Sequence, residues 1–587
     1  MNKFFKTVFA SCLGAFLAFL ALGALVFFFG IRAAMQGESG KKVSANSVLH
    51  LTLKNPIPEL TNNSQVQGFE LNTSPVLGLS DLLNAIDKAK DDNNIKGIVL
   101  EPKFMAIGQA QAKVIAEKLK DFSNDGKFVY ANADFYTQGA YYLASGADKI
   151  YLNPKGSVDL RGYGAQIPFF KDGLDRLGVN AQVFYAGQFK SATEPFRRNE
   201  ISDQNRLQIR ELLDERYTQL LDMISQNRNI EKAQLKQLID NYEIRWAEDA
   251  VTHGMVDSLV FKDQFESILR NKIGLEEDAK IKMVKLSDYY NPMTDKKSQS
   301  AKDKIAVVYA EGGIVDGDDR PGVIEGDKYA EVISDLRKDE SIKAIVLRIN
   351  SGGGSGFASE KILREVKVCQ ENGIPVVASF ADVAASGGYY IATSTDSIFA
   401  EPNSITGSIG VFGVIPSVQK MMADKLGITF DTVTTSKYAV GFTPFRDLNA
   451  DEGKIIQEYI DDFYEDFLAH VAEGRNMTRD QVHEIAQGRV WTGNKALENG
   501  LVDALGGLPD ALDAAASLAG LKDYKVREFP KVKTPFEQLF EELTGGNAMA
   551  KEKILQSELG ENFKHYEWLK SVAETKGPQA RIPFLIE

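Results

Sequence analysis

Two short stretches of this chain carry the residue types best suited to covalent chemistry. One is a serine among small residues, Ala384-Ala385-Ser386-Gly387-Gly388; the other is a lysine in mostly apolar company, Phe184 to Phe196 around Lys190. The serine stretch Ser379–Pro402 (SFADVAASGGYYIATSTDSIFAEP) nearly repeats Ala131–Pro154 (ANADFYTQGAYYLASGADKIYLNP), 248 residues earlier. Tyr389-Tyr390 aligns with Tyr141-Tyr142 and Pro402 with Pro154, and Ser386 stands where the first copy has Gln138. Farther on, Gly187–Ser191 corresponds to Ser436–Val440 and Pro195-Phe196-Arg197 to Pro444-Phe445-Arg446, so Lys190 faces Ala439. One copy keeps a serine and the other a lysine. That complementarity implies a duplicated enzyme whose single active site draws one residue from each half.

Ser386 follows an apolar strand pattern and opens a helical one, so its hydroxyl would sit at a tight turn near a helix N-terminus, where negative charge is favoured. Gly387 and Gly388 let a substrate backbone come close and leave N–H groups to meet an oxyanion. The plainer alternative is a serine that merely caps a helix. Upstream, Arg348-Ile349-Asn350-Ser351-Gly352-Gly353-Gly354-Ser355 ends a strand in a glycine-rich turn that can present N–H groups to an oxyanion. It lacks the Gly-Lys-Ser/Thr ending of a phosphate loop. The matching first-copy stretch, Glu101-Pro102-Lys103-Phe104-Met105, has no glycine turn, so turn and serine were kept together and lost together. The base is open between two types. No histidine lies near Ser386 in sequence, although a triad needs only spatial proximity. A lysine desolvated among Phe184, Tyr185, Phe189, Ala192 and Phe196 would lose its proton more readily, unless its tip snorkels to solvent.

The elements that must position these groups repeat as well. Ile95–Leu100 matches Ile342–Leu347 as a strand, each preceded by an amphipathic pattern (Leu79–Ala89, Tyr329–Arg337) and followed by a helix (Gln109–Phe122, Ala358–Gln370) and a second strand (Phe128–Ala131, Pro375–Phe380). Such alternation predicts α/β units around parallel sheet. The expected divisions are a membrane anchor over 1–45, a lysine-bearing repeat over 46–290, a polar linker over 291–304, a serine-bearing repeat over 305–524 and a tail over 525–587. Asn199–Asp240 and Asp447–Arg475 read as the long outer helices of the repeats. The tail holds a helical stretch, Pro535–Thr544, and the apolar end Ile582-Pro583-Phe584-Leu585-Ile586.

From Thr7 to Ile31 there are 25 consecutive uncharged residues. A bilayer core needs about 20 apolar residues in helix, against about 7–15 for a cleavable signal, so one transmembrane helix is expected. Lys3 and Lys6 before it are offset by Arg32, Lys41 and Lys42 after it, and this charge pattern leaves the orientation open. A net charge of −13 argues against a nucleic-acid partner. Two cysteines, one inside the apolar run, and five scattered histidines support neither a disulfide nor a metal centre.

Arg-Ile-Asn-Ser-x-Gly-Gly at 348–354, Ala-Ala-Ser-Gly-Gly-Tyr-Tyr at 384–390, Thr406-Gly407-Ser408-Ile409-Gly410 and Gly-Gln-Phe-Lys-Ser-Ala at 187–192 together resemble the long, tandem-repeat form of the signal peptide peptidase A (protease IV) family. The resemblance covers essentially the whole chain. It implies a tandem duplication of the Clp protease/crotonase-like β-α superhelical domain and a Ser/Lys dyad without cofactor. By the same resemblance Ser386 is nucleophile, Lys190 general base and Ser408 its orienting hydroxyl, with the N–H groups of Gly353 and Gly387 as oxyanion hole. Gly352 stands where the family usually has proline, which implies a looser turn. The expected activity is endopeptidase cleavage of signal-peptide remnants and other short apolar peptides. The expected setting is the bacterial inner membrane, with the catalytic domains periplasmic and the chain in a homotetramer. The competing readings are a crotonase-type acyl-CoA enzyme, which leaves the split Ser/Lys pattern and the anchor unexplained, and an inactive membrane scaffold, which gives no reason for each half to lose a different residue.

Overall fold

The computed structural model describes residues 43–53, 56–63, 76–102, 107–291, 301–317, 321–531 and 579–581. The expected transmembrane helix over Thr7–Ile31 and the expected helix Pro535–Thr544 lie outside the described residues, as does most of the expected linker. No described helix is long and apolar enough to cross a membrane.

The first repeat contains β1 (Ser47–Leu53), β2 (Ile95–Pro102), β3 (Phe128–Tyr136), β4 (Lys149–Val158), β5 (Asn180–Ala186), β6 (Ser258–Leu259) and β7 (Lys282–Lys285). The second contains β8 (Lys304–Glu311), β9 (Gly313–Val315), β10 (Val323–Glu325), β11 (Ile342–Ser351), β12 (Gly353–Ser355), β13 (Val376–Ala385), β14 (Ser397–Ala400), β15 (Ile405–Gly407), β16 (Val411–Ser417), β17 (Val490–Thr492), β18 (Ala504–Leu505) and β19 (Lys525–Phe529). A last strand, β20, spans Gln579–Arg581.

Each repeat is built on a parallel sheet. The first has the order β6-β4-β3-β2-β1-β7, and the second β17-β15-β13-β11-β8-β19, with β14 beside β13 and β18 beside β14. Among the described residues, only the β15–β17 pair of these two sheets is antiparallel. Near-continuous apolar runs such as Ile345-Val346-Leu347 form central strands because helices cover both faces. Lys525–Phe529, read from the sequence as the start of a tail, runs beside β8 as β7 runs beside β1.

The two repeats interlock through a third sheet, β10-β9-β12-β20-β16-β5. In it β5 of the first repeat pairs antiparallel with β16 of the second, from Val411 opposite Ala186 to Ser417 opposite Asn180. The helix Asp203–Arg228, read as an outer helix, has two roles. Leu220, Leu221 and Ile224 sit in the core of its own repeat, while its first half bonds the second repeat, with Gln208 accepting from Val490 N–H and Glu215 accepting from Thr492 and Asn494.

Polar groups cross the same boundary. Gly108 precedes the helix Gln109–Asn124 and has no side chain to cap it, and Asp382 of β13 accepts from Ala110 N–H at 2.8 Å instead. A Cβ at Gly108 would meet that carboxylate at 2.0 Å, so only glycine admits the cap. Beside it, buried Arg348 donates to buried Glu59 at 2.8 Å, and Glu59 N–H donates to Glu311.

Candidate active site

β13 delivers Ser386 to its turn. The residue has φ 57° and ψ −118°, a sparsely populated backbone region for a side chain, which costs about 1–3 kcal/mol unless its surroundings hold it. Those surroundings are visible: Ser386 N–H donates to Gly407 O at 2.8 Å, and Tyr390 N–H donates to Ser386 O at 2.8 Å. The hydroxyl makes no capping bond to the helix Gly387–Tyr390, so the plain capping role does not describe it. Its Oγ lies 2.8 Å from Lys190 Nζ.

Lys190 arrives from the other repeat. β5 carries the chain along β16, Gly187 turns it at φ +101°, and a short 3₁₀ turn, Ser191–Thr193, follows. Gln208 holds the loop by donating to Phe189 O and Ser191 Oγ. The side chain does not snorkel; only 1% of the residue is exposed. Its Nζ is 3.0 Å from both Ser408 O and Ser408 Oγ. None of these three partners is charged. Burial without a compensating carboxylate therefore holds the ammonium pKa well below the ordinary lysine value of 10.5. Ser408, like Ser386, has a positive φ, 52°, and is pinned by its N–H to Arg489 O at 2.7 Å.

The structure thus brings Lys190, Ser386 and Ser408 to one buried point within a single chain. Lys190 carries the ionisable side chain within hydrogen-bond reach of Ser386. His50, His470 and His483 are engaged elsewhere, with Glu101, with Glu360 and Lys367, and with Tyr464. The glycine turn packs against the helix after Ser386, where a Cβ at Gly388 would come 2.6 Å from Ser351 O. Gly353, at φ +94°, donates its N–H to Ser351 Oγ at 3.1 Å in this state, so that donor must turn from Ser351 to meet an oxyanion.

Sequence reading missed Gln487-Gly488. Phe189 N–H donates to Gln487 O at 2.8 Å, and Gly488, at φ +79°, lies so close that a Cβ would stand 2.6–2.7 Å from Lys190 N, Cα and Cβ. The only local signal was one glycine ahead of Arg489, which does not reveal a contact with a residue nearly 300 positions earlier.

Comparison with known proteins agrees with this duplicated arrangement. The model of peptidase family S49 matches twice, over residues 121–276 and 369–522, once in each repeat. The chain is 39% identical over 486 residues to Protease 4 of Salmonella typhi, covering 81% of this chain and 78% of that one. It is 37% identical to Protease 4 of Haemophilus influenzae, covering 76% of this chain and 74% of that one. To the chloroplastic serine protease SPPA of Arabidopsis thaliana it is 30% identical, covering 92% of this chain and 78% of that one. With both repeats matched and such relatives aligned over most of its length, this chain belongs to peptidase family S49 and is a serine protease.

Proposed function

We propose that this serine protease is a membrane-anchored endopeptidase that degrades cleaved signal peptides and other short apolar peptides through a Ser386/Lys190 dyad. The observation that carries the reading is the three-way contact of Lys190 Nζ. A neutral amine has two N–H donors and one lone pair. Donating to Ser408 O and Ser408 Oγ uses both donors and leaves the lone pair to accept from the Ser386 hydroxyl.

Ser386 Oγ attacks the scissile carbonyl as its proton passes to Lys190 Nζ, giving a tetrahedral oxyanion. The oxyanion is met by the N–H groups of Gly387 and Gly353. The intermediate collapses, the C–N bond breaks, and Lys190 returns the proton to the leaving amine. Water then attacks the acyl-enzyme, again giving its proton to Lys190, and the acid is released with Ser386 restored. Ser408 keeps the amine aimed.

The apolar substrate preference, the inner-membrane location with catalytic domains outside, and a homotetramer complete the reading; they rest on the motif resemblance and on the apolar run Thr7–Ile31. A serine-reactive fluorophosphonate is expected to label Ser386, identified by peptide mapping. Ser386→Ala should abolish labelling, and Lys190→Ala should reduce both labelling and peptide hydrolysis to near background, because members of such a unit act together. Near-normal turnover by Lys190→Ala would overturn the dyad.

A further inference from the structure

Residues 56–63 follow β1 of the first repeat but are anchored on the second. Leu60 sits in the core with Val307, Tyr309 and Val346, and Glu59 pairs with Arg348. The same arm grips Glu311, the last residue of β8. The two carboxylate oxygens of Glu311 accept Glu59 N–H at 3.0 and 3.1 Å, and one of them also accepts Asn63 Nδ2 at 3.0 Å. The Asn63 amide is fixed in that sense, because its Oδ1 accepts Gly322 N–H.

Each of these bonds is donated to Glu311. That suits a carboxylate, whereas a carboxyl proton would face Glu59 N–H on one oxygen or Asn63 Nδ2 on the other. The surroundings pull the other way. Glu311 is half-buried, and its pKa is pushed up to about 7, first by desolvation and next by the charge of Glu59. The charged groups at this boundary are Glu59 on the arm, Arg348 on β11 and Asp382 on β13. Asp316, after β9, and Glu325, on β10, are bonded to Ser355 and to the N–H groups of Gly317 and Lys328.

Beyond Glu311 lies the glycine turn. Gly312 donates its N–H to Asn350 O at 3.0 Å and accepts the Ser351 hydroxyl at 2.7 Å, and Ser351 Oγ in turn accepts Gly353 N–H. Asn350, opposite Glu311 in the β8–β11 register, accepts Val383 N–H three residues before Ser386. The first repeat has no glycine turn, and it has Lys54 and Lys103 at the places of Glu311 and Asn350.

We propose that Glu311 is a positioning residue for the oxyanion turn: gripped as a carboxylate by the other repeat's arm, it fixes Gly312, and through it Ser351 and the Gly353 donor. This rests on the peptidase reading above. Protonation sets a donor against a donor, the grip is lost, and the turn loosens.

The test is the kcat of the full chain against that of Glu311→Gln from pH 6 to pH 9, on a fluorogenic apolar peptide. Glutamine puts an NH₂ where the carboxyl proton would be. The Lys190 titration is common to both proteins. At pH 9 the variant's kcat is expected to be about ten-fold lower, less than the roughly 10²-fold of a deleted oxyanion donor. At pH 6 the loss should shrink to under about two-fold, because the parent is then protonated itself, with KM little changed throughout. In Ser386→Ala protein, hydrogen exchange over residues 350–355, corrected for intrinsic rates, should show protection rising through the same pH range. Glu311→Gln should abolish that rise. Asn63→Ala, which removes one donor to the carboxylate, should move its midpoint to higher pH, and this variant guards against misfolding of Glu311→Gln. A kcat ratio independent of pH in a parent that hydrolyses peptide, an exchange midpoint unmoved by Asn63→Ala, or a transition that survives Glu311→Gln and vanishes in Asp382→Asn would each overturn the proposal. If fluorophosphonate fails to label Ser386, the dyad reading falls, and the exchange arm, which needs no catalysis, still decides the role of Glu311.

Discussion

Lys190 is the residue on which chemistry and stability pull in opposite directions. The base role proposed for it requires a neutral amine, and burial favours that form by penalising the charged one. Activity should therefore rise with pH, with a midpoint well below that of an ordinary lysine, seen as the acidic limb of kcat/KM. A limb near pH ~6.5 that vanishes on replacing a histidine would point to a different base. The stability consequence has a definite sign. In the unfolded chain this lysine is protonated below about pH 10.4. In the folded chain it is not, until its depressed pKa is reached. Folding must then shed a proton throughout that window, and the penalty grows as pH falls through it. Lys190→Met removes the titration, so its melting temperature should gain on the parent's as pH is lowered from about 10 to about 7. A gap independent of pH would show that the lysine is charged when folded.

Among the elements, the pairing of β5 with β16 does most to assemble the site. Along this pair the first repeat's chain is carried into the second, and the Gln487-Gly488 turn then fixes where Lys190 begins. Gly488→Ala tests that fixing. Its positive φ alone costs a side chain about 1–2 kcal/mol, and the new methyl collides with Lys190 backbone, so one of the two segments must move. A displacement near 1 Å can cost about 10²-fold in rate, and kcat is expected to fall by about 10–100-fold. Gly126→Ala is the matched control: its φ is +90° but nothing lies within 4 Å of the added carbon. It should lose a similar amount of stability and keep its kcat. Equal loss of activity in both variants would mean that strain, and not contact with Lys190, is responsible.

At the scale of the whole molecule, the duplication leaves one half of a contact unused. Residues 428–435 are the second repeat's counterpart of the segment containing β5, yet they form no strand, and Val433 is fully exposed, with Phe430 and nearby Phe442 and Phe445 also exposed. Residues 163–169 are the first repeat's counterpart of β16, with Ile167-Pro168 matching Ile415-Pro416, and they too are unpaired. Two copies placed head to tail would bring these segments together as β5 and β16 meet within one chain, and such contacts close into rings. Protein lacking residues 1–45 is expected to scatter light as a tetramer, and Val433→Asp should dissociate it; an active monomer in the parent protein would refute the ring. In cells, protease added to spheroplasts should digest the bulk of the chain, whereas full protection until lysis would place it on the inner side.

The alternation of strands and helices, the duplication, and the retention of serine in one copy and lysine in the other were all legible in the sequence. They are properties of residue type and order: period-2 and period-3.6 patterns reveal elements, and comparing two copies within one chain reveals which positions diverged. Ser386 and Lys190 stood out for that reason. Only tertiary structure decided the rest. Ser386 and Ser408 both take backbone angles that no propensity assigns to serine, because the partners that hold them, Gly407, Tyr390 and Arg489, act through backbone atoms that carry no sequence signal. Gly488 matters through its distance to a residue in the other repeat. Asp382 caps a helix it does not belong to. Gln579–Arg581 read as part of an unassigned tail, since three residues hold too little pattern to announce a strand. Their place between β12 and β16 depends on two rims supplied by segments more than 150 residues away in sequence, and that is information a linear pattern does not contain.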